Sequence, residues 1–132
     1  MINLRSGFNF FSDPDPTNGM VNYLSQQDAT NANLAYVQSD GTTVLAVDNT
    51  NQLSDGEYRN SVRIVSKKTY SKGLIIADVY AMPHGCSVWP ALWLVGPDWP
   101  NGGEIDIIEN VNSEFSALLL RPPFVAVVLL LL

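Results

Sequence analysis

The 132-residue chain is long enough for one domain with a core of its own. Its 46% hydrophobic and 15% charged content excludes a disordered chain. The formal net charge is −6 and no basic run exceeds Lys67-Lys68, which argues against nucleic acid as a partner and is compatible with a neutral polymer.

Residues 1–6 lack the apolar core of a secretion signal, so no export signal is expected in the chain as written. Residues 6–33 are polar and turn-rich. Asp13-Pro14-Asp15-Pro16 and Asn18-Gly19 mark loop, with Met20 and Tyr23 expected as anchors and Gln26–Ala32 as one helical turn. Short apolar runs then recur at the intervals of an all-β domain. Strands are predicted at Leu34–Gln38 and, after the turn Ser39-Asp40-Gly41, at Thr43–Asp48. Asp55-Gly56 precedes Ser61–Lys68, where Val62 and Ile64 alternate with Ser61, Arg63 and Val65. Arg63, Lys67 and Lys68 are expected at solvated strand positions. The nearly continuous apolar run Leu74–Met82 has the composition of a buried strand, ended by Pro83-His84-Gly85. Ala91–Val95 and Gly103–Val111 are the last predicted strands, with Gly96-Pro97, Pro100 and Gly102-Gly103 between them.

No window sustains a 3.6-residue period, so an antiparallel sandwich or jelly roll is predicted rather than a helical fold. Cys86 is the only cysteine, either a buried thiol or a half-cystine with its partner elsewhere. His84, two residues away, would point elsewhere from an ordinary turn, so a Cys–His nucleophile is not expected. Residues 117–132 shift abruptly to an apolar composition. They are too short for a membrane-spanning helix, and Arg121, Pro122 and Pro123 interrupt them. The expected organisation is therefore a domain over 1–116 and an unrelated apolar tail over 117–132.

The chemistry concentrates in Gly103-Glu104-Ile105-Asp106-Ile107-Ile108-Glu109-Asn110-Val111. Carboxylates among isoleucines suit a β-strand. Side chains alternate along a strand, so Glu104 and Asp106 share one face and Ile105 and Ile107 the other. Strict alternation would bury Glu109 with the isoleucines. A one-residue bulge at Ile107-Ile108 returns Glu109 to the acidic face, and that bulge is predicted. Without the bulged residue, Glu104 and Glu109 are four steps apart, roughly 13 Å between Cα atoms. Long side chains leaning inward over a concave sheet would bring the carboxyls to ~5–5.5 Å, the separation for double-displacement cleavage of a glycosidic bond. Asp106 is one methylene shorter and can hydrogen-bond a neighbour without blocking substrate. The competing reading is a solvated, charged edge strand.

Trp89, Trp93 and Trp99 precede this strand by at most fifteen residues. Indole stacks on the C–H face of a sugar ring, so these residues are candidate substrate platforms. For Trp93, inside a strand, a core position is an equal alternative. Trp99, in a Gly/Pro loop beside the acidic strand, is assigned to the cleft.

Together, Ser61-Val62-Arg63-Ile64, Ser66-Lys67-Lys68-Thr69-Tyr70, Gly73–Asp78, Met82-Pro83, Trp89-Pro90-Ala91-Leu92-Trp93, Gly96-Pro97, Trp99-Pro100 and Gly103–Glu109 resemble glycoside hydrolase family 16. The similar group is the fungal endo-1,3(4)-β-glucanases, or laminarinases, over roughly residues 6 to 112. The resemblance implies an all-β, partial concanavalin A-like jelly-roll sandwich with substrate on a concave sheet. It implies retaining hydrolysis of β-1,3 or mixed-linkage β-glucan. By position it assigns Glu104 as nucleophile, Asp106 as assisting residue and Glu109 as general acid/base, with Trp89, Trp93 and Trp99 at the substrate. No metal or other cofactor is expected, nor nucleic acid or a membrane as partner. The protein is expected to be an extracellular monomer. Family domains are longer, and the strands expected beyond Asn112 do not follow, so the expectation is a truncated product. The alternative is a catalytically inactive glucan-binding or inert fragment.

Overall fold

The computed structural model describes residues 4, 6–121 and 127–131, with 114–121 and 127–131 described by their backbone. The chain divides into two compact units, residues 1–65 and 66–131, with the division inside one strand.

The first unit contains β1 (Phe8–Phe11), β2 (Val21–Tyr23), α1 (Gln26–Asn31), β3 (Ala35–Val37), β4 (Thr43–Leu45), β5 (Arg59–Ser61) and the start of β6 (Arg63–Tyr70). The helix forms where one turn was expected. Ser25 caps it: its hydroxyl oxygen accepts a hydrogen bond from the Asp28 amide at 3.2 Å, satisfying a helix-start donor. Asn33 ends the turn in the left-handed region (φ 56°), which Asn tolerates better than most residues. β3 and β4 form an antiparallel hairpin, Ala35 opposite Leu45, at the two strands predicted there. β2 and β5 pair in parallel. Val62 and Ile64 are fully buried, as their alternation predicts.

Three expectations fail in this unit. Phe8–Phe11 and Val21–Tyr23 are strands where loop was read. Met20 is exposed and anchors nothing, whereas Tyr23 packs edge-on against Phe11 at 5.7 Å. Arg63 is buried rather than solvated. Its guanidinium lies 4.5 Å from the Phe11 ring centroid and 5.9 Å from that of Tyr23, and 3.6 Å from Asp15. Two aromatic faces and a carboxylate together offset its loss of water. Burial alone would raise the Asp15 carboxyl. Hydrogen bonds from Thr17 and the Gly19 amide, with the nearby guanidinium, outweigh it and hold the group below the usual carboxylate range.

The second unit contains the end of β6, then β7 (Ala91–Val95), β8 (Glu104–Val111), β9 (Glu114–Arg121) and β10 (Val127–Leu131). β10, β7, β8 and β9 run side by side in that order with antiparallel pairing. Ala91, Leu92, Trp93 and Leu94 are buried in this sheet. Lys67 and Lys68 are exposed, as expected.

Leu74–Met82, expected as a buried strand, forms no strand. Leu74, Ile76 and Tyr80 are 84%, 82% and 98% exposed. The reason lies at β7, whose two edges are taken by β8 and by β10 (Val128 opposite Val95, Leu131 opposite Leu92). A strand arriving ahead of β7 finds that edge occupied. The β9 backbone pairs with β8 from Val111↔Glu114 to Glu104↔Arg121, across the expected boundary at 116. Among the described residues no helix is long and apolar enough to cross a membrane.

Candidate active site

The site is built on the β7–β8 pair. Opposed residues on antiparallel strands share a face. Val95 lies opposite Glu104, Trp93 opposite Asp106 and Ala91 opposite Glu109. Leu94 lies opposite Ile105 and Leu92 opposite Ile108. Odd-numbered β7 residues take one face and even-numbered ones the other. All three carboxylates therefore share the face of Trp93, while Ile105 and Ile108 share the face of the buried Leu92 and Leu94. The register shifts between Leu92 and Trp93, leaving Ile107 as the extra residue. This is the bulge the sequence predicts, at the position it predicts.

The hairpin joining β7 to β8 closes tightly. The Gly96 amide donates to the Gly103 carbonyl at 2.9 Å, and the Gly103 amide to the Pro100 carbonyl at 3.1 Å. A Cβ on Gly96 would stand 2.1 Å from the Gly102 carbonyl oxygen, so only glycine permits this approach. The closed loop carries Trp99, whose indole N–H donates to Oε2 of Glu104. Trp99 also packs edge-on against Trp93, with ring centroids 5.9 Å apart.

The other end of β7 is arranged in a parallel way. Trp89 precedes the strand and is 63% exposed, and its indole N–H donates to Oε1 of Glu109 at 2.8 Å. The segment 83–90 is tied to the end of β8 through Asn110 and Asn112. The Asn110 amide donates to the Pro90 carbonyl at 3.1 Å. Asn112 Oδ1 accepts from the Ser87 amide at 2.8 Å. Cys86, on the same segment, is an exposed free thiol.

All six residues singled out in the sequence thus belong to one strand pair and its two loops. Asp106 is buried opposite Trp93, and Glu104 and Glu109 are half-buried. Trp93 takes the core position left open for it: it is buried, and its ring packs edge-on against Trp99 on the face that carries the carboxylates. Sequence reasoning missed Asn110, Asn112, Gly96 and Gly102. Only the glycine pair carried a signal, because Gly-Pro and Gly-Gly flank the loop. Among the described residues, no group of three His, Cys, Asp or Glu is placed to hold a metal ion.

Comparison with known proteins matches residues 8–118 to XgeA-like, catalytic GH16 domains. The chain is 50% identical over 108 residues to the endo-1,3(4)-β-glucanase xgeA of Emericella nidulans, covering 80% of this chain and 17% of the relative. It is 48% identical over 108 residues to an endo-1,3(4)-β-glucanase of Arthroderma benhamiae, covering 81% and 23%. Its structure matches GH16 laminarinase 16A of Phanerochaete chrysosporium, solved with β-glucans in donor and acceptor sites, with a TM-score of 0.80 and 47% identity over 87% of this chain and 39% of that one. An elongating family 16 β-1,3-glucosyltransferase matches with a TM-score of 0.80 and 38% identity over 93% and 51%. The chain therefore spans about a fifth of the length of these curated relatives and up to about half of the solved chains. With strands and one short helix among the described residues, the fold of the solved laminarinase and a family match over most of its length, this chain belongs to glycoside hydrolase family 16, among the XgeA-like catalytic domains.

Proposed function

We propose that this chain carries the catalytic strand pair of a retaining endo-β-glucanase acting on β-1,3 or mixed-linkage β-1,3/1,4-glucan. One observation carries the reading: a single extra residue, Ile107, sets Glu104, Asp106 and Glu109 on one face, with an indole N–H donated to each glutamate. Glu104 attacks the anomeric carbon while Glu109 protonates the departing glycosidic oxygen. Glu109 then removes a proton from the water that releases the sugar from Glu104. Asp106, shorter and buried between them in sequence, orients the nucleophile. The exposed Trp89 and half-buried Trp99 offer ring faces to glucosyl units, with Trp93 beneath as support.

The assignment concerns residues 1–116. A polymeric substrate too large to enter a cell places the activity outside it, and the chain acts as a monomer. The experiment is release of reducing ends from laminarin or lichenan by the chain and by Glu104→Gln. Turnover by the parent, abolished in the variant, is expected; equal turnover by both overturns the role of Glu104. Glucan affinity without any turnover assigns the chain instead to glucan binding, which the short span relative to its family keeps in view.

A further inference from the structure

Trp89 is 63% exposed, so packing alone does not fix its ring. Its ring is set by the Glu109 hydrogen bond and by the backbone that carries it, which Asn110 holds at Pro83 and Pro90 and Asn112 holds between them. Asn112 sits in the left-handed region with φ 58°. Its carbonyl accepts from the Gly85 amide at 2.9 Å, and its own amide donates to the Val88 carbonyl at 2.9 Å. Its side-chain Oδ1 accepts from the Ser87 amide at 2.8 Å. Ser87 is itself in the left-handed region (φ 64°), a conformation a serine keeps only when its surroundings enforce it. The Asn112 side chain is part of that enforcement.

We infer that Asn112 is a positioning residue for Glu109, acting through the 85–90 segment and Trp89. The inference rests on reading Glu109 as the acid/base. Oε1 of Glu109 accepts the Trp89 indole N–H at 2.8 Å. With that oxygen engaged as an acceptor, the proton to be transferred resides on Oε2, and the carboxyl plane is held for its delivery. Losing the hold on Ser87 lets the 85–90 segment relax, the indole leave Oε1 and the carboxyl rotate.

Two substitutions separate the side chain from the backbone. Asn112→Gly keeps the left-handed conformation and the backbone bonds while deleting Oδ1. Asn112→Asp keeps an acceptor at the same reach and also tolerates positive φ. The full chain is labelled with ¹⁵N, and the indole N–H resonance of Trp89 is assigned with Trp89→Phe. In Asn112→Gly, solvent exchange of that proton is expected to quicken about tenfold, the loss of one ordinary hydrogen bond. The rate of glucan hydrolysis at saturation is expected to fall by a similar factor. Asn112→Asp is expected to restore both. An unchanged indole in Asn112→Gly, or a failure of Asn112→Asp to restore it, overturns the inference. A parent chain that shows this exchange pattern but never cleaves glucan upholds the clamp and overturns the enzymatic reading beneath it.

Discussion

Trp99 donates its indole N–H to Glu104 across the mouth of the β7–β8 hairpin, so the residue proposed as nucleophile is held by the loop that precedes its own strand. Trp99→Phe keeps a ring for stacking and deletes the donor. A hydrogen bond to a charged group contributes about 1.5–3 kcal/mol, so glucan hydrolysis is expected to fall roughly 10- to 100-fold. Glucan affinity should change far less. Steady-state kinetics with laminarin, beside a direct binding titration, checks the split. A variant that loses affinity and keeps its rate would show that Trp99 serves stacking alone.

The same loop makes a stability prediction. Gly96→Ala places a methyl group 2.1 Å from a backbone oxygen, not from a side chain able to swing away. The hairpin must open, at a cost of roughly 1–3 kcal/mol. Near-ultraviolet circular dichroism should lose the signal of the Trp93–Trp99 pair, and the denaturation midpoint should drop. An unaltered aromatic spectrum would contradict the tight closure.

Asp48 predicts a pH dependence in the first unit. Its carboxylate accepts hydrogen bonds from the Thr50 amide and hydroxyl at 2.9 Å, the Asn51 amide at 3.2 Å and the Asn51 side chain at 2.7 Å. The Thr50 amide and the Asn51 side chain, the leading causes, push the folded group well below the usual carboxylate range against the effect of burial. A folded-state pKa below the unfolded value of ~3.9 gives stability that is complete above that pH and lost on acidification below it. Asp48→Ala is expected to cost about 1–2 kcal/mol at neutral pH. The gap to the parent should narrow as the pH falls below ~4. Urea titrations at pH 7 and pH 3 make the comparison, and a gap that widens in acid would reverse the sign.

The exposed ribbon 74–82 predicts binding of a hydrophobic dye by the folded chain. Ile76→Lys, combined with Leu74→Lys, should weaken that signal. Both side chains are more than four-fifths exposed, so folding stability should shift by no more than about 0.5 kcal/mol. A large loss of stability would mean that the ribbon is packed in solution.

The acidic strand was legible because two local rules collide within nine residues. Alternation buries Glu109, charge forbids it, and a bulge at Ile107 reconciles them. β7 and the β3–β4 hairpin were legible for a similar reason, as apolar runs bounded by turns. Arg63 was not, because its partners Phe11, Tyr23 and Asp15 lie some 40 to 50 residues away and no local pattern announces them. Leu74–Met82 misled because its composition is that of a strand, while its exposure depends on which segment holds the edge of β7. Asn112 was silent because an asparagine in a turn is ordinary until its side chain is seen to reach Ser87.

Trp89 and Trp99 stand beyond opposite ends of β7, a five-residue rod about 13 Å long at ~3.3 Å per step. Each indole is tied to the glutamate at its own end of the strand pair, Trp89 to Glu109 and Trp99 to Glu104. The strand is thus a ruler. On the function proposed above, a linear glucan touching both rings is measured against a length of backbone, and lengthening the rod by two residues would change which glucosyl units it compares.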